Sequence, residues 1–460
     1  MHNKLFPLER REFHLNPLRF FLEDTIVALS TPPGRGGVSV VRISGFLAKK
    51  IGISVCGGLA GPNKLNPCDV RGEGGKRIDS GLVVFFKSPR SYTGEDVVEI
   101  SCHGNPLIVD SIIESCCFFG ARLAEPGEFT KRAFMNEKID LAQAESVADL
   151  ISAQTSSAVV AANSSLRGDF SKSINSSIDE VIQIRVLVEA LLDFSDEDSV
   201  LLIEEKKTKI GDGICLVRDV LLKLVERGEF GNKMLEGLRV VFAGPPNCGK
   251  STLLNLIAKE ELAITSSAPG TTRDLIKAQV DVRGIPVEFT DTAGIRGGVS
   301  EQVETEGINR AVEVLGRSDV VVVMSEVGEH FDITVPQNAT SLRVFNKIDL
   351  HSNEVAGERG GAFYVSAKTG EGVDAFLDCV VSYSPGPPET PLVARRRHLE
   401  SLNEAIGFLE QSVLNLENKV SLEIIAEDLR GVQIALGNIT RPISADELLG
   451  NIFSSFCIGK

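Results

Sequence analysis

The spacing of apolar and polar residues changes along the chain, and the first stretch has short apolar runs. Between residues 24 and 137 these runs, such as Val38–Ile43, Leu82–Phe86 and Val97–Ile100, are separated by loops rich in Gly and Pro. Short apolar runs bounded by such residues are typical of β-strands. The pattern predicts a sheet-rich α+β domain over 24–137, preceded by an N-terminal extension over 1–23.

Two later stretches have the spacing of helices. Over residues 138–237 Gly and Pro become rare and apolar residues recur every three to four positions, which predicts helices packed in a bundle. The stretch 383–460 begins with the linker Ser384–Pro388 and then returns to helical spacing. Within it, Ser444 and Glu447 form a capping-box pattern ahead of the last helix. Together the two stretches predict an all-α domain.

Residues 238–382, between the two helical stretches, alternate strand-length apolar runs with helical spacing. Several of the runs are continuous and rich in Val, a pattern typical of parallel strands buried on both faces. We therefore expect an α/β domain with a mainly parallel sheet. The simplest arrangement is one helical domain, split in sequence, into which the α/β domain is inserted. Such an insertion requires the two ends of the inserted domain to lie close together.

Length and composition fit an ordinary globular chain. The 460 residues are enough for about three domains. The 43% hydrophobic and 24% charged residues argue against disorder, collagen-like repeats and fibrous coiled coils. With 48 Lys and Arg against 63 Asp and Glu, the net charge is −15, which argues against coating nucleic acid by charge alone. Any contact with nucleic acid therefore requires a local basic patch or a partner.

The lack of a recognisable targeting signal and the spacing of the cysteines predict a cytoplasmic protein. No apolar run reaches the length of a membrane span, and the first residues lack the apolar core of a signal peptide. None of the nine cysteines forms a C-x-x-C pair, which argues against a zinc ribbon or a thioredoxin-type site. We expect reduced thiols and no membrane contact.

The clearest chemical motif is the run Gly244–Ser251, GPPNCGKS, placed between a predicted strand and a predicted helix. This is the phosphate-loop pattern G-x-x-x-x-G-K-[ST] in its required context. The glycines let backbone N–H groups surround the phosphates. Lys250 carries charge to the β- and γ-phosphates, and Ser251 ligates Mg²⁺.

Three further motifs follow in order at predicted strand ends and identify the base as guanine. Asp291–Gly294, DTAG, supplies a carboxylate for the Mg²⁺ shell and an N–H for the γ-phosphate. Asn346–Asp349, NKID, places a carboxylate that accepts two donors from the guanine edge, whereas adenine has an acceptor there. Ser366–Lys368, SAK, then supports the base. The order of the motifs predicts a GTP-binding protein.

Hydrolysis raises a separate question, because the residue after DTAG is the apolar Ile295 rather than a water-orienting Gln. Either hydrolysis is very slow, or another residue and another cation perform that function. Asn247 is a candidate ligand for a monovalent cation. Glu304 is a candidate for orienting water, although the residues alone favour a solvated helix position. Thr272, in a predicted switch loop, is the candidate for placing a second hydroxyl on Mg²⁺.

Five segments outside these motifs resemble one family. They are Thr31–Gly37, Ser91–Asp96, Pro126–Phe134, Lys138–Glu145 and the terminal Phe456–Lys460, FCIGK. From about Asp24 to the end, the chain resembles the bacterial tRNA-modification GTPases of the MnmE (TrmE) family.

The resemblance implies a specific reaction and specific partners. Members of the family work with a flavin-containing partner, MnmG (GidA), which carries FAD, in an α2β2 type of assembly. Together they add an aminomethyl or carboxymethylaminomethyl group to C5 of the wobble uridine, position 34, of certain tRNAs. A folate, 5-formyl- or methylene-tetrahydrofolate, supplies the one-carbon unit. The G domains of a homodimer associate in a K⁺-dependent way that stimulates GTP hydrolysis.

The resemblance also implies site residues. Mg²⁺ is expected on Ser251 and Thr272, and K⁺ near Asn247, Ser266, Ala268 and Thr271. The catalytic residues expected are Glu304, Asn247, Lys250 and Cys457. The residues expected to bind GTP are Asn247, Cys248, Gly249, Lys250, Ser251, Thr252, Ser266, Ser267, Ala268, Pro269, Gly270, Thr271, Thr272, Asp291, Thr292, Ala293, Gly294, Asn346, Lys347, Asp349, Ser366, Ala367 and Lys368.

For the folate, the resemblance implies Arg42, Glu99, Lys138 and Lys460 as ligands. Positive side chains suit the carboxylates of the folate, and a Glu suits the pterin N–H groups. The resemblance places Cys457 near the chemistry, but a small buried thiol fits the residue equally well. An alternative function remains open. A regulatory GTPase, for example in ribosome assembly, would need the same nucleotide motifs and only partner-binding flanking domains.

Overall fold

A computed structural model describes residues 24–193, 200–260, 262–263, 277–291, 314–337, 339–351, 354–383, 392–441, 452–453, 456 and 459. The described residues divide into two compact units. One comprises residues up to Glu145 together with the C-terminal residues from 442 onwards, and the other comprises Ser146–Arg441. Each unit is described in turn.

The N-terminal unit contains a six-stranded sheet in the order β3-β4-β5-β2-β1-β6. Neighbouring strands are antiparallel except β1 and β6, which are parallel. The strands are β1 (Thr25–Leu29), β2 (Gly36–Ser44), β3 (Asn66–Arg71), β4 (Arg77–Phe86), β5 (Val97–Gly104) and β6 (Ala121–Leu123).

Three helices complete this unit, namely α1 (Ala48–Cys56), α2 (Pro106–Phe118) and α3 (Glu128–Met135). The sequence fixes the start of α2 locally, because the Asn105 side chain accepts a hydrogen bond from the Leu107 N–H and Pro occupies the first turn. Helices α1 and α2 cover one face of the sheet in a continuous apolar core. On the other face, Phe129 of α3 packs against Ile26 and Ala28 of β1.

The second unit contains helices from both sides of the α/β segment, and these helices pack together. Helix α10 (Arg396–Glu417) packs against α7 (Val200–Glu236) and α11 (Leu422–Thr440), while α11 packs against α6 (Asp169–Asp193). Polar contacts join the same segments, since Arg185 donates to Gln433 at 2.7 Å and Arg395 pairs with Asp149 at 2.7 Å. The predicted fold, a helical domain split in sequence, is confirmed. The helices are α4 (Leu141–Ser152), α5 (Ser156–Leu166), α6 (Asp169–Asp193), α7 (Val200–Glu236), α10 (Arg396–Glu417) and α11 (Leu422–Thr440).

The α/β segment forms an eight-stranded sheet in the order β13-β14-β12-β11-β7-β10-β9-β8. Its centre, from β14 to β10, is parallel, as the Val-rich runs predict. The strands are β7 (Leu238–Ala243), β8 (Leu262–Ala263), β9 (Lys277–Val282), β10 (Ile285–Asp291), β11 (Val320–Glu326), β12 (Thr340–Asn346), β13 (Gly357–Arg359) and β14 (Ala362–Tyr364). Helices α8 (Lys250–Glu260) and α9 (Val373–Ser382) accompany them.

Both faces of this sheet are buried, which explains the uninterrupted apolar runs. Val240 and Phe242 of β7 face α8 and α9, whereas Val241 and Ala243 face the opposite side. Because side chains alternate along a strand, a strand is apolar at consecutive positions where both of its faces are covered, as in Val320–Met324 of β11. The polar functional residues are therefore confined to the strand ends.

The residue boundaries 24–137, 138–237, 238–382 and 383–460 remain predictions. Among the helices of the described part of the chain, none is both long enough and apolar enough to cross a membrane.

Candidate functional site: a nucleotide-binding edge and a polar site in the N-terminal unit

The phosphate loop joins β7 to α8 at the carboxyl edge of the parallel sheet. Its two glycines are required by close packing, since a Cβ at Gly244 would collide with the Met324 carbonyl and one at Gly249 with the Asn346 side chain. Asn247 lies between them in the left-handed region, at φ 64°. Asn tolerates this conformation better than most residues, so the motif is locally consistent.

Lys250 begins α8 and is held by the loop itself. Its ammonium group donates to the carbonyls of Gly244 at 3.0 Å and Pro245 at 2.8 Å. The neighbouring Cys248 thiol is buried, and this burial raises its pKa although Lys250 acts in the opposite direction. The loop therefore presents a buried cation beside an un-ionised thiol, a suitable surround for phosphate.

Two side-chain oxygens, one from Ser251 and one from Asp291, meet where the phosphate loop and β10 end. Ser251 donates from Oγ to Oδ2 of the fully buried Asp291 at 2.5 Å. Hydroxyl and carboxylate oxygens are the ligands that Mg²⁺ prefers. The pair thus fits a magnesium ion.

Asn346 connects the phosphate loop to the base-binding loop. Its side-chain N–H donates to the Cys248 carbonyl at 2.9 Å, and its side-chain oxygen accepts from the Ala367 N–H at 2.9 Å. The side chain is 2% exposed, so both bonds are shielded from water. Three motifs that are far apart in sequence are therefore held in one fixed arrangement.

The residues predicted to read guanine lie beside this connection. Asp349 accepts from the Ser366 hydroxyl at 2.8 Å through Oδ1, which orients the carboxylate. Lys347, at φ 66°, forms an ion pair with Glu326 at the end of β11. Lys368 is exposed. The structure thus brings together the NKID and SAK residues that the sequence predicts.

The predicted residues that the structure describes at this edge are Asn247, Cys248, Gly249, Lys250, Ser251, Thr252, Asp291, Asn346, Lys347, Asp349, Ser366, Ala367 and Lys368. The predicted residues Ser266, Ser267, Ala268, Pro269, Gly270, Thr271, Thr272, Thr292, Ala293, Gly294, Glu304, Cys457 and Lys460 lie outside the described residues. Their roles remain predictions.

A second polar site lies in the N-terminal unit, around Arg42 on β2. Arg42 pairs with Glu99, its partner across the β2–β5 ladder, through Nε at 2.8 Å. Its guanidinium carbon lies 5.2 Å from the centre of the Tyr92 ring and 5.7 Å from that of Phe129. The Tyr92 hydroxyl bonds to the Thr130 hydroxyl at 2.8 Å. The guanidinium is held by Glu99 and by two rings, in a geometry that favours planar recognition.

Lys138 lies beside the same loop as Tyr92, since its Nζ donates to the Pro89 carbonyl at 2.9 Å. Cationic donors at Arg42 and Lys138 and a carboxylate at Glu99 fit a ligand with both carboxylates and N–H groups. The donor set therefore fits a folate.

The loop that carries Tyr92 is anchored by a buried arginine. Arg132 is 2% exposed and contacts Glu95 at 3.2 Å, Asp24 at 2.6 Å and Glu128 at 2.9 Å. Burial opposes the ionisation of Glu128, but Arg122 and Arg132 hold its pKa below the ordinary value. The network fixes α3 and the loop relative to β1.

Sequence reasoning missed several residues that shape these sites. Tyr92 lay inside a motif noted from the sequence, but only the strand register shows that its ring contacts Arg42. Glu326 gave a weaker signal, a polar residue at the end of an apolar strand next to Asn346. Asp319, which precedes β11 and lies away from both sites, also gave no signal; its carboxylate accepts from Lys233 at 2.6 Å and from the Arg239 N–H at 2.9 Å.

Comparison with family profiles decides the relationship. A profile described as the MnmE helical domain matches residues 141–457, and one described as the GTP-binding protein TrmE N-terminus matches residues 25–138. The chain belongs to the MnmE family. The two profiles together span both units, so the resemblance inferred from five segments is confirmed along most of the chain.

Curated MnmE relatives are similar over nearly the full length. The tRNA modification GTPase MnmE of Nitrosomonas eutropha is 41% identical over 454 residues, covering 95% of this chain and 99% of the relative. That of Neisseria meningitidis serogroup A is 42% identical over 449 residues, with the same coverage. Among solved structures, the G domain of the T. maritima FeoB iron transporter is 19% identical and covers 32% of this chain and 98% of its own, with a TM-score of 0.23. A likeness this slight adds nothing to the topology given above.

Proposed function

We propose that GTP binds along the carboxyl edge of the parallel sheet and that its hydrolysis drives a tRNA modification cycle. Membership of the MnmE family makes the chain a tRNA modification GTPase. The strongest support for the nucleotide site comes from Asn346. Its two hydrogen bonds, both 2.9 Å, fix the phosphate loop relative to the SAK loop. Asp349, oriented by Ser366, then selects guanine over adenine.

For the metal ions, we propose Mg²⁺ on Ser251 and Thr272. The hydrogen bond from Ser251 to Asp291 supports this assignment, because it already directs the Ser251 hydroxyl towards a buried carboxylate. For K⁺ we propose Asn247 with Ser266, Ala268 and Thr271. Asn247 is exposed, and its side chain makes no hydrogen bond to the residues that the structure describes, so its amide oxygen is available.

Glu304 is proposed to orient the attacking water, because Ile295 lacks a polar group. Lys250, held by two loop carbonyls, stabilises charge on the β- and γ-phosphates. Hydrolysis is proposed to depend on K⁺-stimulated association of the G domains of a homodimer.

The finer tRNA chemistry is proposed from the family resemblance. With the FAD-carrying MnmG protein, the chain would add an aminomethyl or carboxymethylaminomethyl group to C5 of the wobble uridine. Arg42, Glu99, Lys138 and Lys460 would hold the folate that supplies the carbon. The Arg42–Glu99 pair supports this site, since Nε binds one carboxylate oxygen while the terminal guanidinium nitrogens have no hydrogen bond to described residues. We expect the protein to act in the cytoplasm.

Mass analysis of tRNA nucleosides tests the proposal. A strain that lacks this chain should lose the C5 modification of wobble uridine, and the wild-type chain supplied from a plasmid should restore it. A Lys250→Ala variant should fail to restore it, because charge at the phosphates is lost. Unaltered wobble uridine in the deletion strain would contradict the modification role and favour a purely regulatory GTPase.

A further inference from the structure

One end of the N-terminal sheet carries several exposed cations. At this end β4 and β2 finish and β5 and β1 begin, because Phe86 pairs with Val97 and Ser44 with Ile26. Helix α1 starts here as well, directly after β2. The side chains of Lys49, Lys64 and Lys87 are all exposed.

Backbone and ring contacts hold these cations together. The Asn63 N–H donates to the Phe85 carbonyl at 2.8 Å, which places Lys64 beside the end of β4. The Lys49 ammonium lies 5.6 Å from the centre of the Phe85 ring. Lys87 follows β4, and its carbonyl accepts from the Arg90 N–H at 2.9 Å. The four basic residues therefore surround one strand end.

Among the described residues, none of these four cations forms an ion pair with a carboxylate. The acidic residue facing the turn after β4 is Asp96, whose carboxylate accepts from the Ser88 N–H at 2.9 Å. The other carboxylates at this end already have cations of their own, because Asp24 pairs with Arg122 and Arg132, and Glu95 pairs with Arg132.

Helix α1 strengthens the positive potential at this end. Lys49 and Lys50 occupy its first turn, which contains no acidic residue. The N-terminus of a helix is already the positive end of its dipole, so cations there repel the partial charge. An anion bound at this end offsets the repulsion.

An exposed aromatic ring lies at the same end of the sheet. Phe46 precedes α1, and 67% of it is exposed. It follows Gly45, whose N–H donates to the Asp96 carbonyl at 3.0 Å, so the ring is at this end of the sheet. Basic side chains around an exposed aromatic ring are the combination that single-stranded RNA uses, with phosphates on the cations and a base on the ring.

We propose that the sugar-phosphate backbone of tRNA binds to a sheet-end patch formed by Phe46, Lys49, Lys64, Lys87 and Arg90. An unpaired base of the tRNA stacks on Phe46. The patch gives a chain of net charge −15 a local surface for a polyanion. This inference rests on the proposed function and adds the surface that receives the RNA.

The patch also adjoins the proposed folate site. Lys138 donates to the carbonyl of Pro89, which lies between Lys87 and Arg90 on the same turn. An unpaired loop of tRNA held by the patch is therefore brought next to the residues proposed to hold the one-carbon donor.

Fluorescence anisotropy with labelled tRNA and the full-length chain, at several salt concentrations, tests the patch. Lys64→Gln/Lys87→Gln should weaken binding and reduce the slope of log affinity against log salt by about 1.4 to 1.8, since each phosphate contact contributes about 0.7 to 0.9. Phe46→Ala should weaken binding about 5-fold to 150-fold, with the salt slope unchanged because stacking releases no counterions. GTP hydrolysis should be unchanged in both variants.

The matched control is Arg71→Gln/Lys76→Gln, which removes two exposed cations beside the other end of the same sheet. It should leave the affinity and the salt slope near wild type. Equal losses in the control and patch variants would overturn the proposal, as would undetectable binding of tRNA by the wild-type chain. So would unchanged tRNA affinity combined with a changed oligomeric state, or with lost binding to anionic phosphatidylserine vesicles, because the patch would then serve another copy or a membrane.

Modification assays separate this inference from the function. If the wild-type chain and its flavin partner modify tRNA while the patch variants bind tRNA normally, the patch is wrong and the function stands. If the wild-type pair modifies no tRNA at all, the proposed function itself fails.

Discussion

Ser251 and Asp291 are 40 positions apart in sequence, and the Ser251 hydroxyl donates to the Asp291 carboxylate at 2.5 Å. Ser251 lies in the first turn of α8 and Asp291 ends β10, so the contact joins the phosphate loop to the strand that leads into DTAG. The Asp291 carboxylate therefore orients the Ser251 hydroxyl, which is one of the two proposed magnesium ligands.

Asp291→Asn should weaken Mg²⁺-dependent GTP hydrolysis. The amide keeps an oxygen that accepts from Ser251 but loses the charge that holds the metal, so the magnesium concentration for half-maximal rate should rise about 10-fold to 100-fold. The rate measured against magnesium concentration tests this. An unchanged magnesium dependence, in a variant that melts like wild type, would contradict the assignment.

Asp349→Asn should weaken GTP binding and relax the choice of base. A charged acceptor contributes about 1.5–3 kcal/mol, or roughly 10-fold to 150-fold in affinity. Xanthosine triphosphate offers an acceptor where guanine has a donor, so the Asn variant should bind it better than wild type does. Ser366→Ala is the matched test of orientation and should cost less. If discrimination between GTP and xanthosine triphosphate stays unchanged, Asp349 does not read the base.

Replacing K⁺ by Na⁺ should lower GTP turnover, because Na⁺ is too small for the site proposed at Asn247. The residue has two roles to separate, since its backbone is at φ 64° and its amide is a proposed ligand. Asn247→Gly keeps the backbone conformation and removes the amide. This variant should fold normally and hydrolyse GTP at one slow rate in both salts. Equal wild-type rates in K⁺ and Na⁺ would refute the site.

The contact of Asp319 with Lys233 and Arg239 should stabilise the junction of α7 and β7. The two side chains of the ion pair are about one third exposed, so the Lys233–Asp319 coupling should be at most about 1 kcal/mol. A double-mutant cycle with Lys233→Met and Asp319→Asn measures it. Asp319→Ala should cost about 0.5–1.5 kcal/mol more than Asp319→Asn, because the Arg239 N–H then loses a hydrogen bond that Asn can keep. Equal effects of Ala and Asn would contradict the role of the backbone bond.

Arg132→Met should destabilise the N-terminal unit by about 1.5–3 kcal/mol, because Glu95 loses its cation while Asp24 and Glu128 keep Arg122. Arg122→Met is the matched control, since Arg122 contacts Asp24 and Glu128 but is 44% exposed, and it should cost less. Native-state hydrogen exchange of the α3 amides measures both. A larger loss in the Arg122 variant would contradict the account.

The same network should make the N-terminal unit sensitive to acid. Burial opposes the ionisation of Asp24 and Glu128, yet the arginines hold the pKa of both carboxyls below their ordinary 3.8 and 4.5. A carboxyl whose pKa is lowered in the folded state contributes stability that is fully present above its ordinary pKa. That stability is lost as the pH falls through the folded-state pKa. Protection of α3 should therefore decline below about pH 4.5. In Arg132→Met this decline should be smaller, and an equal decline would show that the network is not responsible.

The sequence predicted the elements of the nucleotide edge because each motif there has a local cause. A phosphate loop needs glycines and a lysine at fixed offsets, and a strand covered on both faces must be apolar throughout. The run Val320–Val323 and the loop before Lys250 therefore stood out. The contacts of Asn346 with both loops also follow, because three strand ends of one parallel sheet meet at one edge.

The rest required tertiary structure. Arg42 was noted only through the family resemblance, because nothing local indicates that the register of β2 and β5 pairs it with Glu99. The same holds for the ring of Tyr92, which reaches Arg42 from a separate loop. The sequence alone did not indicate the sheet-end patch, for a different reason. Its cations are scattered along the sequence, and only the strand ends bring them together.

Titration calorimetry of the full-length chain with nucleotide and Mg²⁺ measures whether the carboxyl edge of the parallel sheet selects GTP. GTP should bind saturably at one site per chain, and ATP should show no comparable binding, because Asp349 accepts from the guanine edge. Absence of GTP binding, or equal affinity for ATP, would contradict the proposed GTP site.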